Sequence, residues 1–216
     1  ALCDTSNLCG ALEFAEKISK VGTQPIIGTQ INFKFGDTVG LLPLFSLNEK
    51  GYKRIIKLSS LSFLENDELS DPHVDFNNLL ENNEGVAIFS GTTFGLFGEL
   101  FNKGKFSEIH DLYKKLNLTF GDRFYIEIQR HNDQNELGFE KFNLKKSLEL
   151  NIPIIATNEV FYINQDMHEA HDALICIGNK TYINEKNRKR LSNQHYFKSN
   201  SEMSELFADL PAALEN

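Results

Sequence analysis

His131 stands just after the apolar run Phe124 to Gln129, and other groups able to do chemistry fall at comparable places: Asp4-Thr5, Gln30, the turn Ser90-Gly91-Thr92, and Asn158-Glu159-Val160-Phe161. In an α/β fold, ligands and catalytic side chains gather where strands end. Imidazole, carboxylate, amide and hydroxyl groups collected there would bind a metal ion or move protons if the domain were an enzyme. Each also has a plainer reading. Asp4 suits a turn or the cap of a helix starting near Asn7, Glu159 an ion pair with a Lys or Arg, and His131 a loop hydrogen bond. His168 and His171 are spaced i, i+3 on a predicted helix, which can bind zinc, but no third ligand is in view and they read as ordinary helix residues. Ser90-Gly91-Thr92 lacks the GxSxG pattern and an evident base, so it reads as a tight strand-to-loop turn.

The elements that must position these groups alternate along the chain. Leu8, Ala11, Leu12 and Ala15 recur at helical spacing, predicting a helix to about Lys20 capped by Asn7. Pro25 to Phe33 and Val39 to Leu47 read as strands separated by a Gly36-Asp37 turn, and Glu49 to about Leu64 as a helix. A short helix is expected over Val74 to Asn82, a buried strand over Val86 to Ser90, and a strand over Phe124 to Gln129. Phe106, Ile109, Leu112, Tyr113 and Leu116 form a helical stripe. Glu136 to Leu150 predicts another amphipathic helix and Pro153 to Asn158 another strand. Ser199 to Glu202 has capping-box spacing, and Pro211 suits the first turn of a last helix. Strand, loop and helix units repeated without a hairpin signature imply an α/β fold with a mostly parallel sheet.

Composition removes several function classes. The chain has 216 residues, 41% of them hydrophobic, with no apolar run long enough for a membrane span. No secretory signal pattern is present. The three cysteines, Cys3, Cys9 and Cys176, form no CxxC pair, so neither a disulfide framework nor a zinc ribbon is supported and a reducing cytoplasm is the simplest location. A net charge of −8 argues against a domain whose main task is gripping phosphate backbone. The basic run Lys186 to Arg190 reads as solvated surface rather than a nucleic-acid contact. Starting at Ala1 without methionine, the chain reads as a piece of something longer.

The order and spacing of Asp4-Thr5-Ser6-Asn7-Leu8, Gly10 to Phe14, Pro25-Ile26-Ile27-Gly28, Asn48 to Tyr52, Ser90-Gly91, Phe124 to Ile128, Ala156-Thr157-Asn158, Ala170-His171-Asp172 and Glu205 to Pro211 carry a resemblance. Across essentially its whole length the chain resembles the polymerase-and-histidinol-phosphatase (PHP) domain at the N-terminus of the alpha subunit of bacterial DNA polymerase III. The resemblance implies one domain over residues 1–216, folded as a distorted seven-stranded β/α barrel whose first strand precedes Ala1, with the polymerase palm following after residue 216.

Active members of that superfamily hold two or three metal ions that activate water against a phosphate ester. Carried over by position, the ligands fail here. Thr5 stands for a histidine, Gln30 for a glutamate, Leu41 for a histidine, Thr92 for a cysteine and Phe161 for a histidine, while Glu159 keeps a carboxylate. A residual polar site would comprise Asp4, His131 and Glu159. The resemblance therefore implies a metal-free, non-catalytic scaffold that braces the rest of the polymerase alpha subunit and docks the proofreading exonuclease subunit, reaching DNA only through the parent enzyme. No Asp-x-Asp triplet is present, so the Mg2+-dependent polymerase chemistry is expected elsewhere. Two alternatives stand: a metal-dependent phosphoesterase or proofreading nuclease with a site rebuilt from Asp4, Glu159, His131 and histidines of the first strand before Ala1, and a free-standing sugar- or nucleotide-binding barrel.

Overall fold

Gly51 on a helix and Gly85 before a strand approach so closely that a Cβ on Gly51 would lie 1.8 Å from the Gly85 carbonyl oxygen. That contact belongs to the first of two compact units in the computed structural model, which describes residues 1–66, 70–188 and 190–216. The first unit comprises Ala1–Ile126 and Lys146–Pro153, and the second Glu127–Lys145 and Ile154–Asn216.

The first unit runs β1 (Leu2–Thr5), α1 (Ala11–Lys20), β2 (Ile27–Phe35), β3 (Thr38–Ser46), α2 (Glu49–Leu64), β4 (Val74–Asp75), α3 (Phe76–Leu80), β5 (Val86–Phe89), α4 (Leu96–Asn102) and α5 (Phe106–Phe120), then enters β6 (Phe124–Ile128). Asn48 opens α2 from an extended backbone, its Oδ1 accepting from Gly51 N at 3.0 Å. Gly51, Arg54, Ile55, Leu58 and Ser62 form the buried face of that helix, one side of a 3.6-residue period. The α5 stripe buries Ile109, Leu112, Tyr113 and Leu116, while Phe106 at its start stays half exposed. Tyr113 joins the helix layer to the sheet, its ring 4.6 Å from Phe97 and 5.7 Å from Phe124. Ile31, Phe33, Leu42, Leu44 and Ile55 complete a fully buried core.

The fold class is α/β, but the sheet is mixed rather than mostly parallel. β2 and β3 form an antiparallel hairpin from Phe35↔Thr38 to Gly28↔Phe45, turned at Gly36 with φ of 59°. Two residues suffice for such a return, whereas a parallel return needs a crossover of about a dozen or more. β3 is antiparallel to β5 as well, and β5 is parallel to β6. β1 and β4 share the far edge of β2, pairing in parallel with its first and second halves.

Two local expectations are corrected. Asn7 does not cap α1: its side chain closes a turn, accepting from Cys9 N and donating to the Thr5 carbonyl, and the N-cap is Gly10 without a side-chain bond. Residues 74–82 are not one helix, because Val74–Asp75 pair with β2 before Asp75 caps the short α3.

The second unit holds the end of β6, most of α6 (Glu136–Leu150), β7 (Ile154–Ala156), α7 (His168–Asn179), α8 (Asn200–Leu206) and α9 (Pro211–Glu215). Thr157 N donates to Ile128 O, setting the chain after β7 beside the end of β6. Ser199 and Glu202 make the expected capping box at α8, and Pro211 occupies the first turn of α9. Arg130 is bound by both oxygens of Glu140 and of Asp209, with its guanidinium 4.8 Å from the Phe207 ring centre. Among the described residues, no helix is long and apolar enough to cross a membrane.

Candidate functional site

Beyond β6 the chain cannot continue straight: Asn132 and Asn135 take left-handed φ of 61° and 66°, a conformation that Asn tolerates. Glu136, in the first turn of α6, holds this bend by accepting from the backbone N–H groups of His131 and Asn132 at 2.8 Å. Ser192 Oγ donates to the His131 carbonyl. The result is a fixed loop that points His131 and Asp133 inward, His131 being 1% exposed.

A second segment meets it. Phe161 N donates to the His195 carbonyl and Phe197 N to that of Tyr162, a short parallel pairing centred on Tyr162 and Tyr196. This pairing buries His195 to 1% exposure and lays its ring on that of His131, 4.1 Å between centroids and 5° from parallel. His195 Nε2 lies 3.0 Å from Asp133 Oδ2, and its Nδ1 lies 3.2 Å from the Glu159 carbonyl oxygen. His131 Nε2 lies 3.1 Å from Asn158 Oδ1, and its Nδ1 lies 3.4 Å from Glu136 Oε1. Lys198 Nζ donates to the same Asn158 oxygen at 3.0 Å, while Asn158 Nδ2 donates to the Tyr196 carbonyl.

Charge follows from these contacts. Burial pushes the Asp133 carboxyl up, but the hydrogen bond and charge of His195 outweigh it, so the group sits below the usual carboxylate range. Burial lowers the Lys198 ammonium, with Glu202 and Glu136 offsetting part of the loss. His171 is lowered by burial first and by the nearby His195 and His168 next.

Of the residues that sequence singles out, His131, Glu159 and Phe161 are brought together in the second unit. The Glu159 carboxylate lies 3.9 Å from His195 Nδ1, and among the described residues no Lys or Arg pairs with it. The Phe161 ring lies 5.3 Å from His195 and 5.2 Å from His171. His168 and His171 are also in the second unit, on α7, whereas Asp4 and the other positions mapped to metal ligands lie in the first. Thr5 ends β1 opposite Gln30 of β2, and Leu41 of β3 bridges Gly95, whose N–H donates to the Thr92 carbonyl. Asp4 sits within β1, its carbonyl accepting from Thr29 and its carboxylate against Gly10 at the start of α1. Ser90-Gly91-Thr92 is a tight turn, with Gly91 at φ of 78° and Thr92 Oγ1 accepting from Phe94 N.

The run Lys186 to Arg190 is not simply solvated surface. Arg188 is buried in a two-pronged ion pair with Asp172, at 2.5 and 2.6 Å, whereas Lys186 and Arg190 are exposed and Lys189 lies outside the described residues. Asp133 and His195 are the functional groups that sequence reasoning missed. His131-x-Asp133 at a strand end was a usable signal, but His195 lies in no regular element and carried none.

The model of the PHP domain matches residues 1–131. The chain belongs to the PHP domain family. This PHP chain is 41% identical over 216 residues to the DNA polymerase III subunit alpha of Rickettsia bellii and 36% identical over 223 residues to that of Caulobacter vibrioides. It is 33% identical over 220 residues to that of Vibrio cholerae. Each match takes in 100% of the PHP chain but only 18%, 20% and 19% of the relative, so the chain spans about a fifth of the length of the curated relatives it matches. Its α/β class and mixed strand order are consistent with the distorted β/α barrel expected of the family.

Proposed function

We propose that this PHP chain serves DNA replication as a structural and docking domain of a DNA polymerase III alpha subunit, without hydrolytic chemistry of its own. Whole-chain similarity to alpha subunits supports the assignment to replication. The observation that carries the non-catalytic reading is the side chains at the positions mapped to metal ligands. Leu41 and Phe161 have no donor atom, and Thr5, Gln30 and Thr92 offer only neutral oxygens or an amide. A multinuclear hydrolytic centre needs several anionic or imidazole ligands. These residues do not fit such a centre, and no hydrolytic step is derived through it.

The remaining task is mechanical. Apolar and neutral groups in place of charged ligands remove the repulsion an ion-free site would suffer, so the scaffold holds without several ions. Its partners are the rest of the alpha subunit and the proofreading exonuclease subunit, with DNA engaged by the parent enzyme and polymerase Mg2+ held elsewhere.

The full-length polypeptide carrying this chain should retain the exonuclease subunit in a pull-down and lose it when residues 1–216 are deleted. With the polymerase carboxylates disabled, it should release no nucleotide from a 3′ end in Mn2+ or Zn2+. Nucleotide release, abolished by His131→Ala, would instead support the rebuilt phosphoesterase.

A further inference from the structure

The hydrogen-bond partners of His131 and His195 fix which nitrogen of each ring is free to bind a ligand. Asn158 Nδ2 donates to a carbonyl, so its Oδ1 is the atom that faces both Lys198 and His131 Nε2, and it can only accept. His131 Nε2 therefore carries a hydrogen. The Glu159 carbonyl can also only accept, so His195 Nδ1 carries a hydrogen. The remaining nitrogens, His131 Nδ1 and His195 Nε2, face the carboxylates of Glu136 at 3.4 Å and Asp133 at 3.0 Å. Each ring therefore has one nitrogen committed to an oxygen acceptor and turns the other toward a carboxylate, with the two rings stacked 4.1 Å apart in a buried site.

These inward-facing nitrogens and the Asp133 carboxylate form a cluster able to hold one divalent cation. His131, Asp133 and His195 each present a ligand atom, and these atoms lie within 4.8 Å of one another. The geometry points to a mononuclear site for a divalent cation of the zinc class, bound by His131, Asp133 and His195. Two imidazoles and a carboxylate suit such borderline cations. The outer contacts are those that orient ligating histidines: the Glu159 carbonyl on His195 Nδ1–H and the Asn158 oxygen on His131 Nε2–H. Binding tilts the rings away from their parallel stack, so that each lone pair meets the ion. The ion ties the loop after β6 to the segment around His195, a clamping role separate from phosphoester hydrolysis. Asp133 and His195 lie outside the positions mapped to the hydrolytic centre, so the inference does not rest on the scaffold reading.

The test strips the full chain with chelator and titrates Co2+ and Zn2+, following the visible Co2+ bands and the protons released. One ion per chain, proton release on binding and a higher melting temperature with metal are expected. His195→Gln and Asp133→Asn should each weaken binding by more than the about 10- to 100-fold that losing an outer partner costs. Melting of the metal-free variants shows that they fold, and His168→Gln, at a histidine outside the cluster, should leave binding unchanged. No uptake by the folded wild-type chain would overturn the site, as would uptake unaffected by both ligand variants. Nuclease activity without stoichiometric metal at these residues would overturn the scaffold reading and leave this one failed separately.

Discussion

Asn158 Oδ1 accepts from both His131 Nε2 at 3.1 Å and Lys198 Nζ at 3.0 Å, so one amide oxygen holds a buried imidazole and a buried ammonium together. Its Nδ2 ties the same group to the Tyr196 backbone. The amide therefore works as a junction between the loop after β6 and the segment carrying His195.

Asn158→Ala should cost about 1–3 kcal/mol, because a buried donor left unpaired costs its desolvation. Urea denaturation of the two proteins measures it, and a change within error would show that water replaces the amide at no cost.

Arg188 and Asp172 lead to a pH prediction. The Arg188 hydrogen bond, ahead of opposing burial, holds the Asp172 carboxyl below its ordinary range. A carboxyl depressed on folding contributes stability above its unfolded pKa of about 4, and that contribution is lost as pH falls through the lower folded value. Asp172→Asn should lower the melting temperature at pH 7 and flatten the acid limb of stability below about pH 4. A parallel loss at every pH would refute the linkage.

Around Arg130 the two carboxylates should differ in weight. The Glu140 side chain is 10% exposed and that of Asp209 is 64% exposed. Glu140→Gln should cost about 1.5–3 kcal/mol, the range for hydrogen bonds to charged groups, and Asp209→Asn about 0–1 kcal/mol. Equal costs in thermal melts would contradict the ranking.

Gly51→Ala improves helix propensity by about 1 kcal/mol, yet its Cβ would enter the Gly85 carbonyl at 1.8 Å. Displacing α2 from β5 should outweigh that gain and leave the protein about 1–3 kcal/mol less stable. Guanidinium unfolding at equal or higher midpoint would show that the helix shifts freely.

The helices and most strands were legible because their signals are local. The α5 stripe follows from apolar residues recurring every three or four positions and the Ser199 capping box from two residues three apart. By contrast, α6 (Glu136–Leu150) matches its expected bounds but buries Phe139, Glu140 and Asn143 and leaves Leu137 and Leu148 exposed, so it is not the apolar-striped helix expected. That Leu41 and Phe161 have no donor atom was equally readable, since it holds in any fold.

Strand direction and the partner of His131 were settled only by tertiary structure. A buried strand looks alike in parallel and antiparallel sheets, so the Gly36-Asp37 turn was visible while the direction of β3 was not. Asp133 and His195 meet across 62 residues through a backbone pairing of Phe161 with His195. No periodicity encodes such a contact. It exists because chain segments far apart in sequence must share their backbone hydrogen bonds once water is excluded.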